Sequence, residues 1–269
     1  MDLAWEAHGT GRPLLCLHGF GLDRTVMAAA LEPVLAERPG WRRIYADLPG
    51  HGESPAGPGD SDGVAASVHE WADRLLGGAP AVLAGWSYGG YLATALAARW
   101  PASVTGLLLV CTGVRIRPQD RELPPGPPPP AEPGWLDQVP PELRGHLDAA
   151  LGQRTAAVAG RVASALAAAR PGDGAYQERL RGTGFPVADE SRLGYPGPAC
   201  LLSGREDRIG GYAGPFRALA AFPAASYTVL AGAGHYLPLE QPAAFRALTL
   251  AWLDAAFGDG PGPAPISGC

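Results

Sequence analysis

The chain has 269 residues, 46% of them hydrophobic and 17% charged, which is enough to bury one large core and predicts a single domain of a soluble, globular protein. No apolar run reaches the roughly 18 residues that span a bilayer, which excludes a membrane helix. The formal net charge is -5 and all 21 basic residues are arginines, scattered without a dense block, so neither nucleic acid nor a membrane is an expected partner.

From the amino terminus onward, residues 1–13 show neither the basic nor the apolar stretch of an export signal. Residues 3–7 predict an antiparallel edge strand, and residues 13–17, 43–46, 81–84, 104–111, 199–202 and 227–230 predict buried strands. These runs are apolar on both faces, as strands covered by helices on either side must be. Most intervals between them are Ala-rich or amphipathic stretches of helical length, the βαβ alternation of an α/β fold with a mostly parallel sheet. The rhythm breaks between residues 112 and 195. A Pro-rich stretch, 124–133, is followed there by a helical pattern over 141–170, with Pro141 placed to start a helix and Pro171 to end one. Val139, Leu143, Leu147 and Leu151, then Val158, Val162 and Leu166, recur every fourth residue. The pattern predicts a helical cap, 112–195, inserted between two core stretches, 1–111 and 196–257. A competing reading makes the stripe the buried face of helices in the main core. Residues 258–269 carry too little apolar material to fold and predict a flexible tail.

Cys16, Cys111 and Cys200 lie in apolar strand-like runs, where a thiol acts as a small buried hydrophobe, and Cys269 ends the tail. No spacing suggests zinc or a disulfide framework, so the expectation is a reducing cytoplasm, no metal and no cofactor.

The chemistry gathers at strand ends. Ser87 sits in Gly-Trp-Ser-Tyr-Gly between an apolar strand and a helix that Pro101 helps terminate. Gly85 and Gly89 permit the tight strand-to-helix turn that exposes a strained nucleophile, although in a chain with 38 glycines the pentapeptide alone is weak evidence. A plain helix-capping serine is the bland alternative. His18–Gly21, HGFG, ends an earlier strand, and the backbone N–H groups of Phe20 and Tyr88 are the candidate oxyanion donors. Asp207 follows the strand at 199–202 and His235 follows the strand at 227–230, so both can reach the crevice at the carboxyl ends of the strands. His235 would relay the Ser87 proton and Asp207 would hold its tautomer. Glu206 is the adjacent rival for the acid, but neighbours on an extended stretch point to opposite sides, and Asp207 is favoured.

With HGFG, DLPGHGES (47–54), GWSYGG (85–90), SGREDRI (203–209) and GAGHYLPLEQP (232–242) in this order, the chain resembles the α/β-hydrolase superfamily, serine carboxylesterase-like branch, from about Leu3 to Phe257. The resemblance implies an eight-stranded-type sheet flanked by helices with an inserted helical cap. It also implies hydrolysis of a carboxylic ester, thioester or lactone through an acyl-enzyme on Ser87, with a small-molecule substrate, free or carrier-bound. Ser at position 87 argues against the dehalogenase and epoxide hydrolase branches, which use a carboxylate nucleophile. A C–C bond hydrolase, a proline-type aminopeptidase and, from another class, a ligand-binding or non-hydrolytic biosynthetic protein remain alternatives. Asp47 and His51 are read as holding the DLPGHG turn. Trp86 has two readings, a pocket wall or packing beneath the nucleophile. Trp135, Leu143, Leu147 and Phe185 are candidate pocket residues, and Arg144 and Arg154 are either contacts for an acidic substrate group or solvated surface. Oligomeric state is left open.

Overall fold

A computed structural model describes residues 1–36 and 38–258, so all of the expected flexible tail except Gly258 lies outside the described residues. In chain order the elements are β1 (Trp5–His8), β2 (Arg12–Leu17), α1 (Arg24–Leu35), β3 (Trp41–Ala46), α2 (Ser61–Leu76), β4 (Ala81–Trp86), α3 (Tyr88–Arg99) and β5 (Val104–Val110). They continue with α4 (Pro141–Ala150), α5 (Ala156–Ala167), α6 (Gly174–Gly182), β6 (Ala199–Gly204), α7 (Ala213–Arg217), β7 (Ala225–Leu230), α8 (Leu237–Glu240) and α9 (Pro242–Phe257). The sheet runs β1-β3-β2-β4-β5-β6-β7, parallel except for β1, whose Trp5 lies antiparallel to Ala46 of β3. Its seven strands are one fewer than the eight-stranded type. Only one strand precedes β2, and it pairs with β3 at the edge because β3 and β4 already occupy both sides of β2.

Side-chain alternation divides the sheet between two apolar clusters. Leu14, Cys16, Val82, Ala84, Leu108 and Val110 face α1 and α9 on one side. Leu15, Leu17, Leu83, Leu107 and Leu109 face α2 and α3 on the other. The central strands β2, β4, β5 and β6 therefore read as apolar runs, and the cost of truncating one such leucine to alanine is about 2 to 5 kcal/mol; β7, expected to be buried, lies at the sheet edge and is only half-buried.

The insertion between β5 and β6 departs from the expected single helical run. The run breaks between α4 and α5 because Gly152 lies against the backbone of Ala233 and Gly234, where a Cβ would come within 2.6 Å of Ala233, and Thr155 then caps α5 by accepting from Val158 N. Leu147, Leu151, Val158 and Val162 join the cluster that contains α1, and α5 packs against α1 and α8. Tyr176 and Leu180 of α6, a helix absent from the sequence reading, join the opposite cluster. Its start is tied to the core where Asp173 N donates to Gly50 O at 3.0 Å. The insertion thus straddles the carboxyl end of the sheet, anchored in the apolar core on both sides. No described helix is long and apolar enough to cross a membrane.

Candidate active site

Ser87 occupies the turn between β4 and α3 with φ 54°, a left-handed conformation that is strained for a residue with a Cβ. The turn closes only because its flanks lack side chains. A Cβ on Gly85 would lie 2.4 Å from Gly90 Cα, and one on Gly89 would lie 2.2 Å from Leu17 O. Although Ser87 is the N-cap of α3, its side chain makes no capping bond, so the helix-capping reading does not describe it. Its Oγ instead donates to His235 Nε2 at 3.0 Å.

His235 and Asp207 complete the relay. Asp207 is fully buried and its Oδ2 accepts from His235 Nδ1 at 2.9 Å, which fixes Nε2 as the acceptor toward Ser87. Asp207 Oδ1 accepts from the N–H groups of Ile209 and Gly210, both at 2.8 Å. Glu206, in the turn after β6, makes no bond to the histidine. Two further contacts hold the His235 loop. Trp86, buried beneath the turn, donates its indole N–H to His235 O at 2.9 Å, and Ala150 O at the end of α4 accepts from His235 N at 2.7 Å.

Glu240, 3% exposed, is a residue the sequence reading missed. Its Oε1 accepts from Gly234 N at 2.9 Å and Tyr236 N at 3.1 Å, and its Oε2 accepts from Gly152 N at 2.8 Å and Gln153 N at 2.9 Å. One carboxyl group therefore clamps the His235 loop to the break between α4 and α5. Burial pushes its pKa up to about 7 against the pull of the four N–H groups.

The HGFG loop lies beside Ser87, with the ideal Cβ position of Gly19 only 3.4 Å from Ser87 Cβ. Tyr88 is the first residue of α3, so its N–H has no acceptor within the helix, and Phe20 N–H has no hydrogen-bond acceptor among the described residues. The DLPGHGES turn supports this loop. His18 donates from Nδ1 to Gly19 O at 2.8 Å and accepts at Nε2 from Leu48 N at 2.9 Å. Asp47 accepts from Arg24 N at 2.8 Å and Glu53 N at 2.9 Å, and His51 donates to Pro49 O at 2.9 Å while its ring packs on Phe20. Burial lowers His18 to about 4. It lowers His51 to about 3, with His18 adding to the effect, so both rings are neutral.

Ser87, His235, Phe20 and Tyr88 all face one cavity of about 340 Å³. Beside it Cys111 is within 4.8 Å of the liganding atoms of Asp207 and His235, but burial raises its thiol well above the ordinary range and leaves it neutral. A family model described as the alpha/beta hydrolase family matches residues 14–248. The chain belongs to the alpha/beta hydrolase family. Among curated relatives, "Pimeloyl-[acyl-carrier protein] methyl ester esterase" of Shewanella woodyi is 35% identical over 126 residues, 46% of this chain and 45% of that protein, so the match covers less than half of that relative's length. An alpha/beta superfamily hydrolase from Oenococcus oeni superposes with TM-score 0.81 at 23% identity, covering 94% of this chain and 96% of that one. A thermophilic esterase from Thermogutta terrifontis gives TM-score 0.70 at 27% identity over 94% and 93%.

In this family member the pocket wall differs from the sequence reading. Phe185 lines the cavity, with φ 67° and its ring edge-on to Phe20 at 4.7 Å, and Trp86 reaches its floor while packing beneath the turn. Trp135, Leu143 and Leu147 do not line it. Leu147 is fully buried against the α1 side of the core, Leu143 packs on that cluster, and Trp135 is covered by the Arg154 guanidinium 4.8 Å from its ring. The stripe they belong to was buried by the main core instead. Arg144 caps the carbonyls of Asp137 and Val139, and Arg154 pairs with Asp148, so neither meets the cavity. Its wall is completed by Arg115, Ile116, Arg121, His146, Arg181, Ile209 and Tyr236.

Proposed function

We propose that this chain is a serine hydrolase that cleaves a small-molecule carboxylic ester, thioester or lactone through an acyl-enzyme on Ser87. The observation that carries the reading is the continuous hydrogen-bonded relay from Ser87 Oγ through His235 to Asp207, placed at the floor of a cavity beside two N–H groups without protein acceptors. Ser87 Oγ attacks the carbonyl carbon while His235 Nε2 takes the proton. The tetrahedral oxyanion accepts hydrogen bonds from the backbone of Phe20 and Tyr88, and the imidazolium is stabilised by Asp207. His235 then protonates the leaving alcohol or thiol, and water repeats the sequence in reverse to free the acid.

The insertion 112–195 acts as the cap in this reading, since Arg115, Arg121, His146, Arg181 and Phe185 on the cavity wall all come from it. The name of the Shewanella woodyi relative supports an ester on a carrier as one substrate class. A proline-type aminopeptidase would need a carboxylate to hold the substrate amine, and the cavity wall holds none among the described residues. Buried free thiols at Cys16, Cys111 and Cys200 support a reducing compartment. The test is turnover of p-nitrophenyl acetate. The parent hydrolyses it, and Ser87→Ala loses at least a thousandfold in kcat by the scale of nucleophile removal. A Ser87→Ala variant as active as the parent would overturn the reading.

A further inference from the structure

Among the described residues the cavity wall carries three arginines, Arg115, Arg121 and Arg181, and no aspartate or glutamate. This runs against the composition of the chain, in which 26 acidic residues outnumber 21 arginines. Arg121 is the informative member. Three other shielded arginines are neutralised: Arg24 by Asp47, Arg43 by Glu32 and Arg154 by Asp148. Arg121 is half-buried and has no carboxylate within ion-pair distance among the described residues. Its guanidinium is held by neutral oxygens only, Nε and one terminal nitrogen on Ile116 O at 2.9 and 2.6 Å and the other on Ile209 O at 3.1 Å. Those three bonds leave two of its five N–H groups without a protein acceptor. Burial of the unneutralised cation pushes its pKa down, with Asp207 beyond the wall pulling the other way. A cation fixed in position, short of a counter-ion and facing a reaction cavity is the arrangement that recognises an anion. Arg115, exposed, adds positive potential to the same cavity, and Arg181, also exposed, lies over the Phe20 ring at 5.1 Å while pairing with Glu178 at 3.2 Å, so its contribution is partly offset.

We propose that Arg121, assisted by Arg115 and Arg181, forms an anion subsite that selects esters carrying a free carboxylate in the same molecule, such as half-esters of short dicarboxylic acids. The proposal rests on the serine hydrolase reading and names its substrate class. Binding the carboxylate supplies the missing counter-ion, so the cost of holding Arg121 dry is recovered in the complex and selectivity appears chiefly in KM. The carboxylate also sets the ester at a fixed distance from Ser87, which makes the preference depend on chain length.

The experiment compares kcat/KM for monomethyl succinate, glutarate and adipate with methyl esters of uncharged acids of matched length, at low and high salt. The parent prefers one charged ester by about tenfold to a hundredfold, the range of one charge-assisted contact, and salt raises KM for that ester more than for its neutral partner. Arg121→Gln collapses the ratio. Arg121→Lys keeps part of it, and Arg115→Ala with Arg181→Ala flattens the salt dependence. If Arg121→Gln fails to fold, the salt dependence of the parent and of the Arg115 and Arg181 variants still decides the matter. A parent that turns over neutral esters as well as or better than charged ones, while Ser87 still labels, overturns the subsite and leaves the hydrolase reading standing. An Arg121→Gln variant that lowers both esters by one factor assigns Arg121 a structural role and also overturns it. A further arm with phosphate-bearing esters decides the source of the anion, and faster turnover of these than of the half-esters would overturn the assignment to carboxylate.

Discussion

Glu240→Ala is expected to damage both stability and nucleophile activation, because one side chain holds four buried backbone N–H groups on two segments. At about 1 kcal/mol net for each bond the loss is roughly 4 kcal/mol. Relief of the buried carboxyl and entry of water into the vacated volume reduce this to about 2 to 3 kcal/mol. For a chain of this size that is a drop in Tm of about 4 to 12 °C. The chemical effect is larger in proportion, since Gly234 and Tyr236 flank His235, the proposed base, and a displacement of about 1 Å in such a group costs on the order of a hundredfold. Glu240→Gln keeps the volume but offers one acceptor oxygen and turns an NH2 toward two N–H donors, so it gives little rescue. Differential scanning fluorimetry measures the first effect, and the rate of fluorophosphonate labelling measures the second under conditions where the variant is folded. A Glu240→Ala protein that melts within about 1 °C of the parent and labels at the parent rate would refute the clamp.

Acid lability should follow from His18 and His51, both held below the ordinary imidazole value by burial. A depressed folded pKa gives stability that is present above the unfolded value near 6.5 and is lost as pH falls through the folded value, about 4 for His18 and about 3 for His51, on the order of 3 kcal/mol for the first and 5 kcal/mol for the second. His51→Asn should flatten the stability curve in that window by denaturant titration, and an unchanged difference between pH 7 and pH 4 would contradict this. Glu240, raised to about 7, acts in the opposite sense, its contribution fading as pH rises from 4.5 through 7, so the comparison must be variant against parent. Leu147→Ala should cost about 2 to 5 kcal/mol by denaturant titration with KM unchanged, as a core residue and not a pocket residue. Phe185→Ala should instead move KM or acyl-chain preference with a smaller effect on Tm. Gly89→Ala, whose Cβ would lie 2.2 Å from Leu17 O, should push the HGFG loop away from Ser87 and lower labelling at least tenfold.

The relay was readable in the sequence because each member announces itself locally. Ser87 follows β4 directly, Asp207 and His235 lie in the loops just after β6 and β7, and the carboxyl ends of parallel strands converge. The place of the HGFG loop was readable for the same reason, His18–Gly21 following β2. The cavity wall was not, because the apolar stripe through Leu143 and Leu147 says that a face is buried but not against what. It packed toward α1. The break between α4 and α5 was equally hidden, since Gly152 is required by a contact with Ala233, far along the chain. Arg121 and His146 reach the cavity through the path of the insertion, which no local pattern encodes. Glu240 did leave a signal, a carboxylate ending the apolar run Leu237–Leu239, yet only the fold shows that four N–H groups converge on it.

The most direct test of the account is intact-mass and peptide-mapping analysis after treatment with a fluorophosphonate. One adduct per chain is expected, mapped to Ser87 and slowed by orders of magnitude in His235→Ala. An adduct on another residue, or no adduct on the folded protein, would contradict it.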